Sequence, residues 1–334
     1  MVKILVARMD NAGDVLLAGP CVRAVAARAS VTMLVGPRGR IGAELLPGVD
    51  EILEWRAPWI DPEPPAVTTE YLDLLRDRIR ATRPERALIV TSFHQSPLPL
   101  ALILRECGVP WIGAICEDYP GSLLDLRHRV EGDPPEPVRA LSLAQAAGFA
   151  LPEGDDGRPA VRRPLPDVSA LVGEPGYVVV HPGASVPARQ WSVAQNAEAA
   201  RLLTEAGYRV VVTGAESENA FTQPAARSGL DLTGRTSFAE LAAVLAGARV
   251  VVAPNTGPAH LAAAVGTPVV SLFAPVVSAD RWAPYGVPVV LLGDQDAPCR
   301  DTRARACPVP GHPCLSRVTP EEVVEAVGKL GGAV

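Results

Sequence analysis

Short apolar runs alternate with helix-like stretches along almost the whole chain, and that alternation leaves few folds open. In the first half the runs at 3–7, 31–35, 51–55, 87–91 and 111–115 read as strands, with helices expected at 14–29, 68–82 and 98–107. Strands separated by helices imply βαβ units and a parallel sheet. The pattern lapses over 132–174, where Pro-, Gly- and Asp-rich segments flank one helix expected at 137–149. It then restarts, with strands expected at 177–181, 209–213, 250–253, 268–273 and 287–292. Helices are expected there at 192–206, 218–228, 238–246, 258–265 and 320–330. Ser237 with Glu240, and Thr319 with Glu322, have capping-box spacing.

Two trains of this kind, in a chain of 334 residues, suit two domains of about 150 residues each. The linker is expected near 154–167. The fold class is therefore α/β: two Rossmann-like, doubly wound domains, 1–160 and 161–334, the second closing on a terminal helix. In such sheets ligands sit beyond the carboxyl ends of the strands, so the expected site is a central cleft that both domains face.

Charge narrows the partners. The net charge is −6, with 19 basic against 22 acidic residues before position 165 and 12 against 15 from there on. Neither half carries the cationic excess of a nucleic-acid binder. No apolar run approaches the ~20 residues of a membrane span, and no secretory leader is visible. The expectation is a cytoplasmic protein without nucleic-acid partners or stable membrane insertion.

Four segments carry the chemistry. The first, Arg8-Met9-Asp10-Asn11-Ala12-Gly13-Asp14, leaves the first strand. Gly13 is expected to permit a tight turn, and Asp14 to stand where a helix N-terminus favours a carboxylate. Asp14 is either a helix N-cap or a catalytic base. The turn lacks Gly-x-Gly-x-x-Gly, which disfavours a nicotinamide dinucleotide. The second, His181-Pro182-Gly183-Ala184-Ser185, is followed by Arg189, whose guanidinium can offer a fork of donors to a diphosphate. Ser185 lies in the same loop.

The third segment, Val211-Val212-Thr213-Gly214-Ala215-Glu216-Ser217-Glu218, runs from strand to turn to helix. A carboxylate there suits ribose hydroxyls and equally suits a helix N-terminus. The fourth runs from Val250 through Asn255-Thr256-Gly257-Pro258 into an Ala-rich helix bearing His260. It offers free N–H groups and a hydroxyl without bulk, a ready phosphate site or a plain helix cap. His260 is either a ligand contact or a packing histidine.

Taken together and in order, these segments resemble family-nine glycosyltransferases, whose best-known members are bacterial ADP-heptose heptosyltransferases. The resemblance covers nearly the whole chain and rests most on Asn255-Thr256-Gly257-Pro258-Ala259-His260-Leu261-Ala262. It implies the two-domain GT-B fold, inverting transfer from a nucleoside-diphosphate sugar, the donor in the C-terminal domain and the acceptor in the N-terminal one. Motif by motif it implies Asp14 as general base, Arg189 at the diphosphate, Glu218 at the ribose, and Thr256 and Gly257 at phosphate and sugar. Two positions depart from the family pattern: Asn255 stands where Asp is usual, which adds donors and removes charge, and Arg189 where Lys is common.

Two further signals point to metal. Asp294-Gln295-Asp296 has an Asp-x-Asp form, and Cys299, Cys307, His312 and Cys314 cluster near the end. The first is expected in a loop; the second lacks Cys-x-x-Cys spacing. No metal or cofactor is therefore expected. On the acceptor side, His94 and Asp118 follow strands that open on the same cleft. The overall expectation is sugar transfer, favouring a heptose from ADP-heptose, to a hydroxyl on a glycan or natural-product glycoside. A nucleotide-sugar 2-epimerase or a non-catalytic sugar-nucleotide-binding protein remain the alternatives.

Overall fold

A computed structural model describes residues 2–331. The chain divides after Arg162 into two compact units. In the first, strands β1 (Lys3–Ala7), β2 (Ser30–Val35), β3 (Glu51–Glu54), β4 (Arg86–Ile89), β5 (Trp111–Ile115) and β6 (Leu126–His128) form one parallel sheet in the order β3-β2-β1-β4-β5-β6. In the second, β7 (Tyr177–Val180), β8 (Val210–Val212), β9 (Leu230–Asp231), β10 (Ala248–Pro254), β11 (Val269–Leu272) and β12 (Val289–Leu292) run β12-β11-β10-β7-β8-β9. Each sheet reverses its winding between its first and fourth strands, and the exits of β1 and β4, and of β7 and β10, flank these switch points.

The strands form where the apolar runs predict them because both sheet faces are covered. In the first unit Leu5, Ala7, Leu34, Ala87 and Ile89 pack with Leu75 and Ile79 of the helix Thr69–Thr82 and with Leu100, Ile103 and Leu104 of Leu98–Glu106. Alternate residues such as Ile4, Val6, Met33 and Leu88 are equally buried. In the second unit Val178, Val180, Val210, Val250 and Val270 pack around Trp191 and the terminal helix Pro320–Gly331. Both capping boxes form: Ser237 with Glu240, and Thr319 with Glu322, exchange reciprocal bonds.

Some expectations change. The helix expected over 14–29 is two, Ala12–Leu17 and Gly19–Ala26, broken where Pro20 lacks an N–H. Gly13 lies inside the first of these rather than in a turn. A short helix at Arg40–Leu45 and the strands β6 and β9 have no apolar run long enough to announce them. The Asp-rich stretch expected as linker is fastened to the first unit: Arg23 clamps Asp155 through two bonds of 2.6 and 2.8 Å, and Arg162 donates to Leu46 O at 2.8 Å.

Gly36, Gly39 and Gly42, spaced three apart after β2, press on the loop that leaves β1. A Cβ on Gly36 would lie 2.7 Å from Met9 O, on Gly39 2.8 Å from Asp10 O, and on Gly42 2.7 Å from Ala12 O. These are backbone atoms that no rotamer change relieves. Gly39→Ala should destabilise the protein by roughly 1–3 kcal/mol in urea unfolding, the usual cost of overpacking. An unchanged midpoint would mean that the loop from Met9 to Ala12 is free to shift.

Candidate functional site

The switch point of the first unit is built around Arg8, the first residue beyond β1. Its N–H donates to Leu34 O at 3.0 Å, which prolongs the ladder and turns the side chain into the crevice. The side chain is 1% exposed. Its Nε meets Asp10 Oδ2 at 2.8 Å, Nη1 meets Glu136 Oε2 at 3.3 Å, and Nη2 meets Asp14 Oδ1 at 3.4 Å. Nη2 also donates to Ser92 Oγ at 3.0 Å. Glu136 opens the helix Glu136–Ala146, and its other oxygen faces Arg139 at 3.6 Å. Gln95, beyond β4, donates its amide to Asp10 Oδ1.

Burial dominates the electrostatics. It acts to lower the Arg8 pKa, but Asp10, Glu136 and Asp14 outweigh it and raise the value. Burial raises Asp10 and Glu136, with Arg8 pulling both back down. Asp14 is the more accessible carboxylate, 19% exposed against 10% for Asp10 and 1% for Glu136. The N-cap reading of Asp14 is corrected: Asn11 is the N-cap, Asp14 is the third helical residue, and Asn11 Nδ2 reaches its second oxygen at 3.5 Å. His94 is exposed and lines a pocket beyond β4 together with Gln95. Asp118, beyond β5, accepts from Ser96 Oγ at 3.5 Å.

In the second unit, Arg189 ends a short turn, Pro187–Arg189, and donates from Nη1 to Asn255 O at 3.3 Å. Asn255 leaves β10 and is buried, its Nδ2 without a hydrogen-bond partner among the described residues. Thr256 caps the helix Gly257–Val265 through its backbone alone, with Pro258 in the first turn. His260 is buried in that helix, its Nδ1 likewise without a partner. Burial, then the nearby Arg189, pushes its pKa down to about 4, so the ring is neutral at pH 7. Arg189, Asn255, Thr256, Gly257, Pro258 and His260 are thus brought together.

Gly214 and Glu218 form an adjoining group. Glu218 Oε2 accepts from Ala215 N at 2.8 Å and lies 3.8 Å from His181 Nε2, while His181 Nδ1 bonds Thr213 Oγ1 at 3.0 Å. Burial lowers the His181 pKa, against the pull of Glu218. The Glu218 carboxylate lies directly over Gly183, where a Cβ would fall 2.1 Å from Oε1. Ser185 sits exposed in the following loop. Sequence reasoning took Arg8 and Asp10 only as members of the loop after β1, and Ser92 and Gln95 only as members of a stretch, 92–96, that could hold an acceptor hydroxyl; it did not name Glu136. The polar character of the loop after β1 was a signal for the first two; Glu136 reaches Arg8 across 128 positions and had none.

The segments read as metal motifs resolve into local structure. Asp294 caps its own turn by accepting from Asp296 N at 3.0 Å, and Asp296 pairs with Arg300 at 3.1 Å. His312 bonds Ala188 O at 3.1 Å, and Cys299 and Cys314 are core residues. Among the described residues no group of three or more His, Cys, Asp or Glu is arranged to hold a metal ion.

The model of the family described as "Glycosyltransferase family 9 (heptosyltransferase)" matches residues 123–312. The chain belongs to glycosyltransferase family 9. Among curated members of family 9 it is similar to lipopolysaccharide heptosyltransferase 1 of Pseudomonas aeruginosa, 37% identical over 169 residues, 49% of this chain and 46% of that protein. The chain thus spans about half the length of the curated relatives it matches. The family 9 glycosyltransferase of Veillonella parvula superposes with a TM-score of 0.79 at 16% identity, covering 98% of this chain and 97% of that one. The E. coli heptosyltransferase WaaC, solved with ADP-2-deoxy-2-fluoro heptose, gives 0.73 at 20% identity, covering 98% and 99%. These last two likenesses establish the two-unit Rossmann-like fold of the family.

Two outcomes follow for this family 9 site. Removing Arg8 leaves three carboxylates facing each other in a dry crevice. Arg8→Met should cost about 3–5 kcal/mol at pH 8, as for a broken buried pair. Asp10 and Glu136 already have raised pKa values, so in the variant they take up protons more readily when folded than when unfolded. The penalty should therefore shrink as pH falls to 5, and urea melts showing the same penalty at both values would refute the network.

His260 has the opposite sign. Its folded pKa, about 4, lies below the unfolded value near 6.5. The unfolded chain therefore binds more protons between these values. The stability that His260 contributes is full above pH 6.5 and is lost as pH falls through this window. His260→Gln should flatten the fall in urea midpoint between pH 7 and 4.5, leaving the part due to His181 and His128, whose lowered pKa values give the same sign. A profile identical to that of the wild type would show His260 to be solvated.

Proposed function

We propose that this chain is an inverting glycosyltransferase that moves a sugar from a nucleoside diphosphate, with ADP-heptose the donor, to an acceptor hydroxyl. The observation that carries this reading is the exit of β10. There a turn without bulk, Asn255-Thr256-Gly257, opens a helix N-terminus beside the guanidinium of Arg189, at the switch point of its sheet. Backbone N–H groups and a guanidinium at such a place suit a diphosphate. Family membership and the names of the relatives support the same donor class.

The division of labour follows the expected domains. Residues 161–334 take the donor, with Glu218 on the ribose, Arg189, Thr256 and Gly257 on the diphosphate, and Asn255, His260 and Ser185 toward the sugar. Residues 1–160 take the acceptor and supply Asp14. As the acceptor oxygen attacks the anomeric carbon, Asp14 takes its proton and the bond to the diphosphate breaks, inverting that carbon. Charge on the departing ADP is met by Arg189 and the helix N–H groups, so we infer that no metal is needed. The six unpaired thiols suit a reducing, cytoplasmic setting, and no described helix is long and apolar enough to cross a membrane.

Asp14→Asn keeps the shape of the residue, and Asn11 remains the N-cap. Turnover should fall about 10²–10⁴-fold, the usual share of a general base, with ADP affinity unchanged. Arg189→Ala should do the reverse in calorimetry, weakening ADP while leaving the fold intact. Turnover of the wild type should persist in excess chelator. Near-normal turnover in Asp14→Asn, or unchanged ADP affinity in Arg189→Ala, would each remove that residue from its role.

A further inference from the structure

Beyond β4 the first unit holds a pocket of about 260 Å³ lined by Trp59, Ile60, His94, Gln95, Ser96 and Pro99. That is below the ~300–1,000 Å³ of sites for drug-sized ligands, so it has room for one small ring system. One wall is a braced aromatic. Trp59 is half-buried with its ring 5.4 Å from that of Trp55, and Trp55 stacks at 5.1 Å on Tyr71, whose hydroxyl donates to Arg56 O at 2.7 Å. The indole is therefore held by packing before any ligand arrives, which lowers the ordering cost of binding.

Beside Ile60 and Pro99, the rest of the lining is polar: an amide, a hydroxyl and an imidazole. No Lys or Arg lines the pocket. Two arginines that precede Trp59 in sequence, Arg38 and Arg56, pair with Asp61, and Arg56 also with Glu63. Behind Gln95 lies Asp10, and behind that the shared Arg8, where three carboxylates face two arginines. An anionic ligand would meet this surplus of negative charge with no lining Lys or Arg to offset it. A ring with an apolar C–H face and a rim of hydroxyls matches both walls.

We propose that this pocket binds an uncharged pyranoside ring of the acceptor, stacked on Trp59 with its hydroxyl rim toward Gln95, Ser96 and His94. The inference rests on the reading of this unit as the acceptor side. Gln95 and Asp14 are tied to one another through Asp10 and Arg8, so the network that fixes the base also fixes the pocket floor. Trp59 and His94 are positioning and specificity residues in this scheme.

The test is ligand-observed saturation-transfer NMR on the full chain. The probes are the methyl pyranosides of glucose, galactose, mannose and N-acetylglucosamine, with methyl β-D-glucuronide as the charged counterpart of the glucoside. At least one neutral glycoside should bind in the millimolar range, and the glucuronide at least fivefold more weakly than the methyl glucoside. Trp59→Ala should weaken the neutral ligand at least tenfold, while Trp59→Phe stays within threefold of the wild type. His94 is exposed, so His94→Ala keeps the fold and should weaken binding at least threefold even where Trp59→Ala does not fold. Absence of binding by all four neutral glycosides, a glucuronide that binds as well as the glucoside, or unchanged affinity in both Trp59→Ala and His94→Ala would overturn the proposal. ADP titrated into the same samples separates the two readings: loss of ADP binding counts against glycosyl transfer, and loss of glycoside binding with ADP intact counts against the pocket alone.

Discussion

Arg8 is a guanidinium withdrawn from water, and the first unit is arranged around the cost of that withdrawal. Moving such a cation out of solvent costs several kcal/mol, which only close opposite charges and hydrogen bonds offset. Asp10, Asp14, Glu136 and Ser92 supply them from the exit of β1, the exit of β4 and the helix Glu136–Ala146. The constraint runs both ways. Each carboxylate is fixed by the same cation, so none can move without leaving another charge exposed to a medium that solvates it poorly. Glycines 36, 39 and 42 serve the same end, since they let the neighbouring segment close over the loop that carries Asp10 and Asp14. A short polar loop thereby acquires the rigidity that the role proposed for Asp14 requires.

The fold was legible because its signal is local. Five-residue apolar runs such as Lys3–Ala7 and Trp111–Ile115 appear as strands with the expected bounds, and the boxes at Ser237 and Thr319 cap the helices they announce. Where the local signal was thin, the reading failed for physical reasons. β6 and β9 are three and two residues long and are held by one neighbour each. The helix after β1 breaks at Pro20, although its apolar pattern continues. That Asn255, Thr256, Gly257, Pro258 and His260 lie together was legible because they stand in one strand–turn–helix exit that is contiguous in sequence. The Arg8 network was not, because it is assembled from positions 8–14, 91–95 and 136–139, which only the folded sheet brings together.

The two switch points share a topology and differ in chemistry. In the first unit the crevice is filled with carboxylates around a cation. In the second the carboxylate Glu218 is held back against Gly183, on the N–H of Ala215, and the groups around Arg189 are neutral: an amide, a hydroxyl and an imidazole that burial keeps unprotonated. On the proposed reading, this difference is what two unlike ligands demand. A crevice that must accept an incoming anion cannot be lined with carboxylates, whereas one that must withdraw a proton needs a carboxylate and a counter-charge to hold it still.

Asn255 belongs to this argument. A carboxylate at that position would stand at the foot of β10, buried, with its backbone carbonyl already on the guanidinium of Arg189. It would attract Arg189 and favour a protonated His260, drawing the cation toward the protein and away from a diphosphate. The amide removes that competition and leaves a buried N–H unmatched among the described residues. A buried donor without a partner costs about 1–3 kcal/mol, and an acceptor oxygen on a bound sugar would recover it. On the proposed reading, the exchange of Asp for Asn therefore trades a fixed charge for a donor that a ligand can satisfy. On that reading its effect falls on which sugar is held, while the strand and the helix beside it are set by Val250–Val252 and the alanines after Pro258.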